Sequence, residues 1–156
     1  TLGQAMLINC IAIALFILTT AFFGFYSDVI GRRRLFVWGC VLMMVTIMPA
    51  FWLIGHKTFF YALAGEVLFA VVLSITDGVV LTLLAELFPT TVRNSGSALA
   101  YNISLTIFGG TAPLVALSLA GPTHHLMPPA VYLIVCAFIS LVSVLLVAET
   151  YKESLK

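Results

Sequence analysis

The chain has 156 residues, of which 62% are hydrophobic and 8% are charged, with a mean hydropathy of +1.18 and a formal net charge of +1. A soluble domain of this length cannot bury so much apolar surface, so the composition places the chain in a lipid bilayer. The small net charge gives no basis for a nucleic-acid partner.

Five long apolar runs follow one another along the chain, and the third is interrupted only by Glu66, Asp77 and Glu86. Each run reaches the roughly 20 residues that a helix needs to cross the hydrocarbon core. The runs are apolar all round, so the backbone can be satisfied in lipid only by helices. We therefore predict an all-α fold, a polytopic transmembrane helical bundle with spans at about 5–26, 35–55, 59–87, 96–120 and 128–148.

Lysine and arginine in the short connections predict the orientation of these spans. Three arginines at 32–34 join the first two spans, Arg93 joins the third and fourth, and Lys152 and Lys156 follow the fifth, whereas the opposite side holds only Lys57. The first residue is therefore expected outside and the C-terminus in the cytoplasm, with the protein multi-pass in the cell inner membrane.

Enzyme chemistry has no visible carrier in this sequence. Cys10, Cys40 and Cys136 lie singly in separate spans, with no second ligand at metal-binding spacing, which favours a packing role. Nucleotide loops, zinc motifs and nucleophile elbows do not occur. We expect no enzymatic activity, no metal and no cofactor.

The first connection reads GFYSDVIGRRR, a pattern suited to binding neighbouring helix ends. Gly24 allows close helix approach, Asp28 can accept hydrogen bonds or pair with a guanidinium, and Gly31 permits a tight turn. Arg32 and Arg33 offer planar forks for carboxylates.

This connection resembles the G-x-x-x-D-R-x-G-R-R signature of the major facilitator superfamily of transporters, which those proteins carry between helices two and three and, in weaker form, between helices eight and nine. The shared positions are Gly24, Asp28, Gly31, Arg32 and Arg33. Val29 stands where the signature has arginine, which fits the weaker copy.

Two later stretches extend the resemblance over nearly the whole chain. AELFPTTVRNSGSALAYNISLTIFGGTAPLVALSLAG is similar to the metabolite–proton symporter branch, in which E-x-F-P-x-x-x-R ends helix ten. HLMPPAVYLIVCAFISLVSVLLVAETYKESLK is similar to helix twelve and the tail of the proline/betaine members. This mapping implies a partial major facilitator fold, with residues 1–156 as helices eight to twelve.

The odd number of spans and the lack of an initiator methionine lead us to expect a fragment, partnered by the missing N-terminal helices of the same transporter. The alternative is a genuine short membrane protein that assembles with a separate chain.

Glu86, Pro89 and Arg93 lie at the cytoplasmic end of the third span, where proline can end a helix. Since an acid at a helix C-terminus opposes the macrodipole, Glu86 should have a positive partner. We infer a cytoplasmic gate in which these residues and those of the first connection hold helix ends together in the outward-facing state. The alternative role is that of solvated charges that only set the topology.

Asp77 lies near the middle of the third span, and Glu66 lies 11 residues earlier on the same helix face. A carboxylate at this depth is costly unless it is paired, hydrated or protonated, so it should face a cavity. It could carry a proton or bind a cationic group of the substrate. The alternative is a structural partner for a basic residue on another helix, and for Glu66 a structural role is the preferred interpretation.

The fourth span contains Gly109, Gly110 and Pro113, which weaken the helix and predict a hinge. Tyr101 and Asn102 precede this hinge and are candidates for the proton or substrate pathway. Polar side chains in a span are also ordinary hydrogen-bonding partners between helices.

The expected function is proton-coupled symport of a small metabolite by alternating access, with substrate, protons and lipid as partners. The resemblance implies a zwitterionic osmolyte such as proline or betaine. The stretch IFGGTAPLVALSL resembles carriers of small mono-, di- and tricarboxylates equally well. A truncated membrane protein that only packs with a partner is a further alternative.

Overall fold

The computed structural model describes residues 2–56, 58–120 and 127–146. The described helices are α1 (Leu2–Ile30), α2 (Arg32–Gly55), α3 (Phe59–Glu86), α4 (Arg93–Ser104), α5 (Gly110–Ala120) and α6 (Met127–Leu146), and a π-helical turn (Leu105–Gly109) joins α4 to α5. Lys57, Lys152 and Lys156, on which the predicted orientation partly depends, lie outside the described residues, as does the predicted end of the fifth span.

Among the described residues, five helical segments are long and apolar enough to cross a membrane: α1, α2, α3, the continuous segment Arg93–Leu119 and Pro129–Leu146 of α6. They overlap all five predicted spans, which confirms the all-α, polytopic membrane fold. Several boundaries differ by three or four residues: α1 ends at Ile30 rather than at 26, α4 begins at Arg93 rather than at 96, and α2 begins at Arg32 rather than at 35. The three arginines therefore form the first turn of a helix instead of a connecting loop.

Helix α3 is the centre of the bundle. It packs along α1 on one side and along α2 on the other, while α6 packs against α2. Helices α1 and α2 are neighbours in sequence but have little contact with each other. Consequently α3 holds α1 to the rest of the molecule.

Close helix crossings in this bundle depend on glycine. A Cβ on Gly78 of α3 would lie 2.7 Å from the Thr20 carbonyl oxygen and 3.0 Å from the Gly24 nitrogen of α1. A Cβ on Gly65 would lie 2.7 Å from the Ala50 carbonyl oxygen of α2. Small residues at such crossings let helix backbones approach closely, which is the usual way helices associate in lipid.

Two apolar clusters fill the space between the helices. One contains Met43, Ile47, Val72 and Ala130, and the other contains Leu35, Ile75 and Val79. Large apolar side chains are exposed on the outer faces, among them Phe60, Leu114 and Leu146. Such a surface suits a hydrocarbon environment rather than water.

Candidate functional site

The junction of α1 and α2 consists of one residue, Gly31. Its backbone has φ 107° and ψ 128°, a conformation that residues with a Cβ rarely adopt. Because the chain changes direction within one residue, the last turn of α1 and the first turn of α2 are brought together. Asp28 and Arg32 thereby come within hydrogen-bonding distance of each other.

Arg32 binds two carboxylates from two different helices. Its Nη2 and Nε donate to Asp28 Oδ1 at 2.9 and 3.3 Å, and its Nη1 donates to Glu86 Oε1. Asp28, Arg32 and Glu86, here called the Arg32 cluster, tie together the C-terminal ends of α1 and α3 and the N-terminal end of α2. The side chains of Arg32 and Glu86 are 23% and 17% exposed, whereas that of Asp28 is 59% exposed.

Two other predicted gate residues make different contacts. Arg33 Nη2 donates to the Leu145 carbonyl oxygen at 2.7 Å, so it binds the C-terminal part of α6. Arg93 Nε donates to the Phe88 carbonyl oxygen at 3.4 Å, within the connection that also contains Pro89. The structure therefore gives Glu86 a positive partner in Arg32, and Arg33 extends the contacts to α6. Arg93 instead donates to the connection between α3 and α4, next to which it lies.

A cavity of about 510 Å³ lies between α2, α3, the segment formed by α4 and the π-helical turn, and α6. Its volume falls within the range of about 300–1,000 Å³ typical of small-molecule sites. Each of the four elements contributes one helical stripe to its walls. Representative lining residues are Cys40, Leu73, Asp77, Tyr101, Phe108 and Cys136.

Asp77 contributes a carboxylate to this otherwise largely apolar cavity. Within the residues that the structure describes, its side chain forms no ion pair or hydrogen bond. Tyr101 also lines the cavity. By contrast, the half-buried Glu66 is not among the described cavity residues, and Asn102 Nδ2 donates to the Ala98 carbonyl oxygen of its own helix at 2.7 Å.

The predicted weak point of the fourth span takes the form of a π-helical turn, Leu105–Gly109. Pro113 lies four residues after Gly109 and has no N–H to donate to its carbonyl, which disturbs the α-helical pattern there. Gly109 lines the cavity, whereas Gly110 begins α5. Turns of this kind occur frequently at functional sites.

Several cavity residues were not singled out by the sequence, among them Phe36, Phe108 and Ser140. Cys40 and Cys136, for which the sequence favoured packing, also lie in the cavity wall. Phe36 and Cys40 on α2 are four residues apart, as are Cys136 and Ser140 on α6. Such spacing indicates that two residues share a helix face, but it does not indicate what that face adjoins. Among the described residues, no group of three or more His, Cys, Asp or Glu side chains is arranged to hold a metal.

A bundle of membrane-length helices enclosing a cavity, with ion pairs across the helix ends, has the architecture of a polytopic transporter. The chain matches the family of sugar (and other) transporters over residues 1–156, and it belongs to this family of the major facilitator superfamily. The predicted family is thus confirmed, and it is a family of transporters rather than of enzymes.

Three relatives illustrate the similarity. The chain is 38% identical over 133 residues to the proline/betaine transporter of Escherichia coli K12, covering 85% of the chain and 26% of the relative. It is 39% identical to the glycine betaine/proline/ectoine/pipecolic acid transporter of Dickeya dadantii, with the same coverage. It is 32% identical over 139 residues to the ectoine/proline transporter of Corynebacterium glutamicum, covering 86% of the chain and 27% of the relative.

The chain therefore spans about a quarter of the length of these relatives. Comparison with solved structures gives no significant match.

Proposed function

We propose that the five helices are helices eight to twelve of a proton-coupled secondary transporter that carries a zwitterionic osmolyte, such as proline or betaine, across the inner membrane. The observation that carries this proposal is the identity of 38–39% over 133 residues to relatives named for proline and betaine transport. The length of those relatives supports further helices in the complete transporter.

Asp77 is the proposed coupling residue. It is the described carboxylate that lines the cavity, and it lies 9 residues from the cytoplasmic end of α3 at Glu86. At a rise of 1.5 Å per residue, this puts it roughly 14 Å along the helix axis from that end. A carboxylate that has no partner among the described residues can exchange a proton with water in the cavity.

The Arg32 cluster is the proposed cytoplasmic gate. It holds the ends of α1, α2 and α3 together, and Arg33 adds the end of α6. Alternating access would require these contacts to form in the outward-facing state and to break when the cavity opens to the cytoplasm. In this proposal the arginine-rich junction faces the cytoplasm and the N-terminal end of α1 faces outward.

Uptake by proteoliposomes containing the full-length protein tests the proposal. Labelled proline, glycine betaine and succinate would be offered with and without an inward proton gradient. We expect gradient-dependent accumulation of proline or betaine. Preferential accumulation of succinate would favour the carboxylate alternative, and no accumulation of any of the three by correctly inserted protein would favour a packing role.

Asp77→Asn tests the coupling step separately. The variant should reach the membrane at the normal level but lose accumulation against a gradient, because the amide cannot exchange a proton. Asp77→Glu is the matched control, since it keeps the carboxylate at the same position. If Asp77→Asn still accumulates substrate under a proton gradient, Asp77 is not the coupling residue.

A further inference from the structure

One hydroxyl group at the contact between α1 and α3 has no hydrogen-bonding partner. The Thr20 Oγ1 atom of α1 is buried, and within the described residues it forms no hydrogen bond. Buried hydroxyls are normally bonded, and leaving one unbonded costs free energy. Because the atom is already enclosed by this chain, further helices of a longer transporter cannot reach it unless α1 or α3 moves.

Neighbouring hydroxyls on the two helices are bonded within their own helix. Ser27, one turn after Gly24 on α1, donates to the Gly24 carbonyl oxygen at 2.6 Å. Ser74, one turn before Gly78 on α3, donates to the Val71 carbonyl oxygen at 2.7 Å. Both serines are fully buried. Among the described residues, these hydroxyls therefore make no hydrogen bond between α1 and α3, and they do not fix the position of one helix along the other.

The two backbones meet at glycine, without large side chains between them. A Cβ on Gly78 would lie 2.7 Å from the Thr20 carbonyl oxygen, and a Cβ on Gly24 would lie 3.3 Å from the Gly78 carbonyl oxygen. Thr20 therefore lies at a close approach of α1 to α3. Packed helices can slide past one another by small amounts, and a contact without protruding side chains offers little resistance to such a movement.

Helix α1 is linked to its neighbours through the Arg32 cluster. Asp28 on α1 accepts hydrogen bonds from Arg32 at 2.9 and 3.3 Å, and Arg32 also binds Glu86 on α3. Elsewhere α1 packs mainly along α3 and has little contact with α2. Opening of the Arg32 cluster therefore leaves α1 free to move along α3.

We propose that α1 and α3 have two packings and that the Thr20 hydroxyl stabilises the second. In the first, which the structure shows, the Arg32 cluster is formed and the hydroxyl is unbonded. In the second, the cluster is open, α1 is shifted along α3 by less than one turn, about 5 Å at most, and the hydroxyl donates to an oxygen of α3. The Gly78 carbonyl, at the crossing, and the Ser74 hydroxyl, one turn away, are the expected acceptors.

The two packings have opposing costs. The first contains the hydrogen bonds of Arg32 but leaves a buried hydroxyl unbonded, whereas the second loses those bonds and satisfies the hydroxyl. Thr20 therefore reduces the free-energy difference between the two packings, as a switching element requires. The coupling of this shift to opening of the gate rests on the proposed function, but the two packings are inferred from the contact itself.

Distances between two spin labels test for the second packing. The labels would be placed on Cys10 of α1, which is exposed, and on Leu81→Cys of α3, at a position that is 56% exposed. The full-length protein would be used in nanodiscs, with its other cysteines replaced by serine. Because α1 and α3 both end at the Arg32 cluster, they run in the same direction. Cys10 lies 10 residues before Thr20, and Leu81 lies 3 after Gly78, so the labels are separated mainly along the helix axes and their distance reports a shift of α1 along α3.

We expect one main distance with the Arg32 cluster intact and a second population in Arg32→Gln. Adding Thr20→Val should lower the ratio of the second population to the first by on the order of tenfold, because valine removes the unbonded hydroxyl from the first packing and a hydrogen bond from the second. Thr20→Ser is the control, since it keeps the hydroxyl and should retain the second population. The first distance, present in each variant, verifies that the variant is folded.

Thermal unfolding gives a second test that does not depend on the gate. With the Arg32 cluster intact, Thr20→Val should raise the Tm of the full-length protein, because it replaces an unbonded buried hydroxyl by a methyl group of similar size. A lower Tm would show that the hydroxyl is already bonded in the first packing, and it would overturn the proposal.

A single distance in Arg32→Gln would overturn the two packings. Equal population ratios in Thr20→Val and Thr20→Ser would overturn the role of the hydroxyl, and they are expected if a buried water satisfies it in both packings. The gate is judged separately, from maleimide labelling of Ser140→Cys in the cavity wall. A second distance without faster labelling in Arg32→Gln would support the two packings and contradict the gate, whereas faster labelling with a single distance would support the gate and overturn the two packings.

Discussion

If the Arg32 cluster is the cytoplasmic gate, as proposed, Glu86→Gln should open the cytoplasmic face much more than Asp28→Asn, although both residues bind Arg32. The side chain of Glu86 is 17% exposed and that of Asp28 is 59% exposed. An exposed ion pair contributes about 0–1 kcal/mol, whereas a charge-assisted hydrogen bond shielded from solvent contributes about 1.5–3 kcal/mol. Since 1.4 kcal/mol corresponds to about tenfold, the open fraction should rise roughly 10- to 100-fold for Glu86→Gln and less than about fivefold for Asp28→Asn.

A cysteine in the cavity can report this opening. Ser140 lines the cavity 5 residues before Leu145, and Ser140→Cys is a nearly isosteric change. In inside-out vesicles, a membrane-impermeant maleimide should label this position at a rate proportional to the open fraction, as long as that fraction stays small. The reporter would be combined separately with Asp28→Asn, Glu86→Gln and Arg32→Gln.

The expected order of labelling rates is the unmodified gate, then Asp28→Asn, then Glu86→Gln, with Arg32→Gln at least as fast as Glu86→Gln. Glu86→Asp provides the charge-retaining control and should give a rate below that of Glu86→Gln. Equal rates for Asp28→Asn and Glu86→Gln would refute the link between burial and gate strength. No increase for Arg32→Gln would refute the gate itself.

Three further predictions concern the junctions and crossings of the bundle. Gly78→Ala should destabilise the protein by about 1–3 kcal/mol, because the new Cβ would lie 2.7 Å from the Thr20 carbonyl oxygen. The control Gly55→Ala has open space around it and should leave the Tm unchanged or slightly higher. Equal Tm values for the two variants would contradict this prediction. Gly31→Ala should cost about 1–3 kcal/mol because of its φ of 107°, and an unchanged Tm would show that the junction can relax. Arg93→Gln should accelerate labelling of the Ser140→Cys reporter less than Arg32→Gln does, since Arg93 binds the Phe88 carbonyl rather than a carboxylate; a larger effect would place Arg93 in the gate.

Hydropathy was sufficient to predict the number of membrane-length helices and the fold class, because lipid requires a helix from each long apolar run. It could not predict that α2 begins at Arg32. A hydropathy pattern ends a span where charges begin, whereas the helix continues as long as its backbone hydrogen bonds do. Only the backbone angles of Gly31 show that a single residue separates the two helices.

The candidate site was less accessible to sequence reasoning. The sequence predicted a positive partner for Glu86, but Arg32 and Arg93 lie on the same membrane face, and only the packing of α2 against α3 selects Arg32. Likewise, the presence of Cys40, Asp77, Tyr101 and Cys136 in the wall of one cavity depends on how the helices are aligned. That alignment is set by long-range contacts that no local pattern encodes.

The contact between Arg33 and the Leu145 carbonyl joins positions 112 residues apart. During synthesis, α1, α2 and α3 emerge from the ribosome long before α6, so their mutual contacts can form while α6 is still being made. The N-terminal end of α2 gains this contact only when α6 enters the membrane. Completion of this face is therefore a late event in biogenesis, and until then the side of α2 that later meets α6 remains open to lipid, to insertion factors or to another nascent chain.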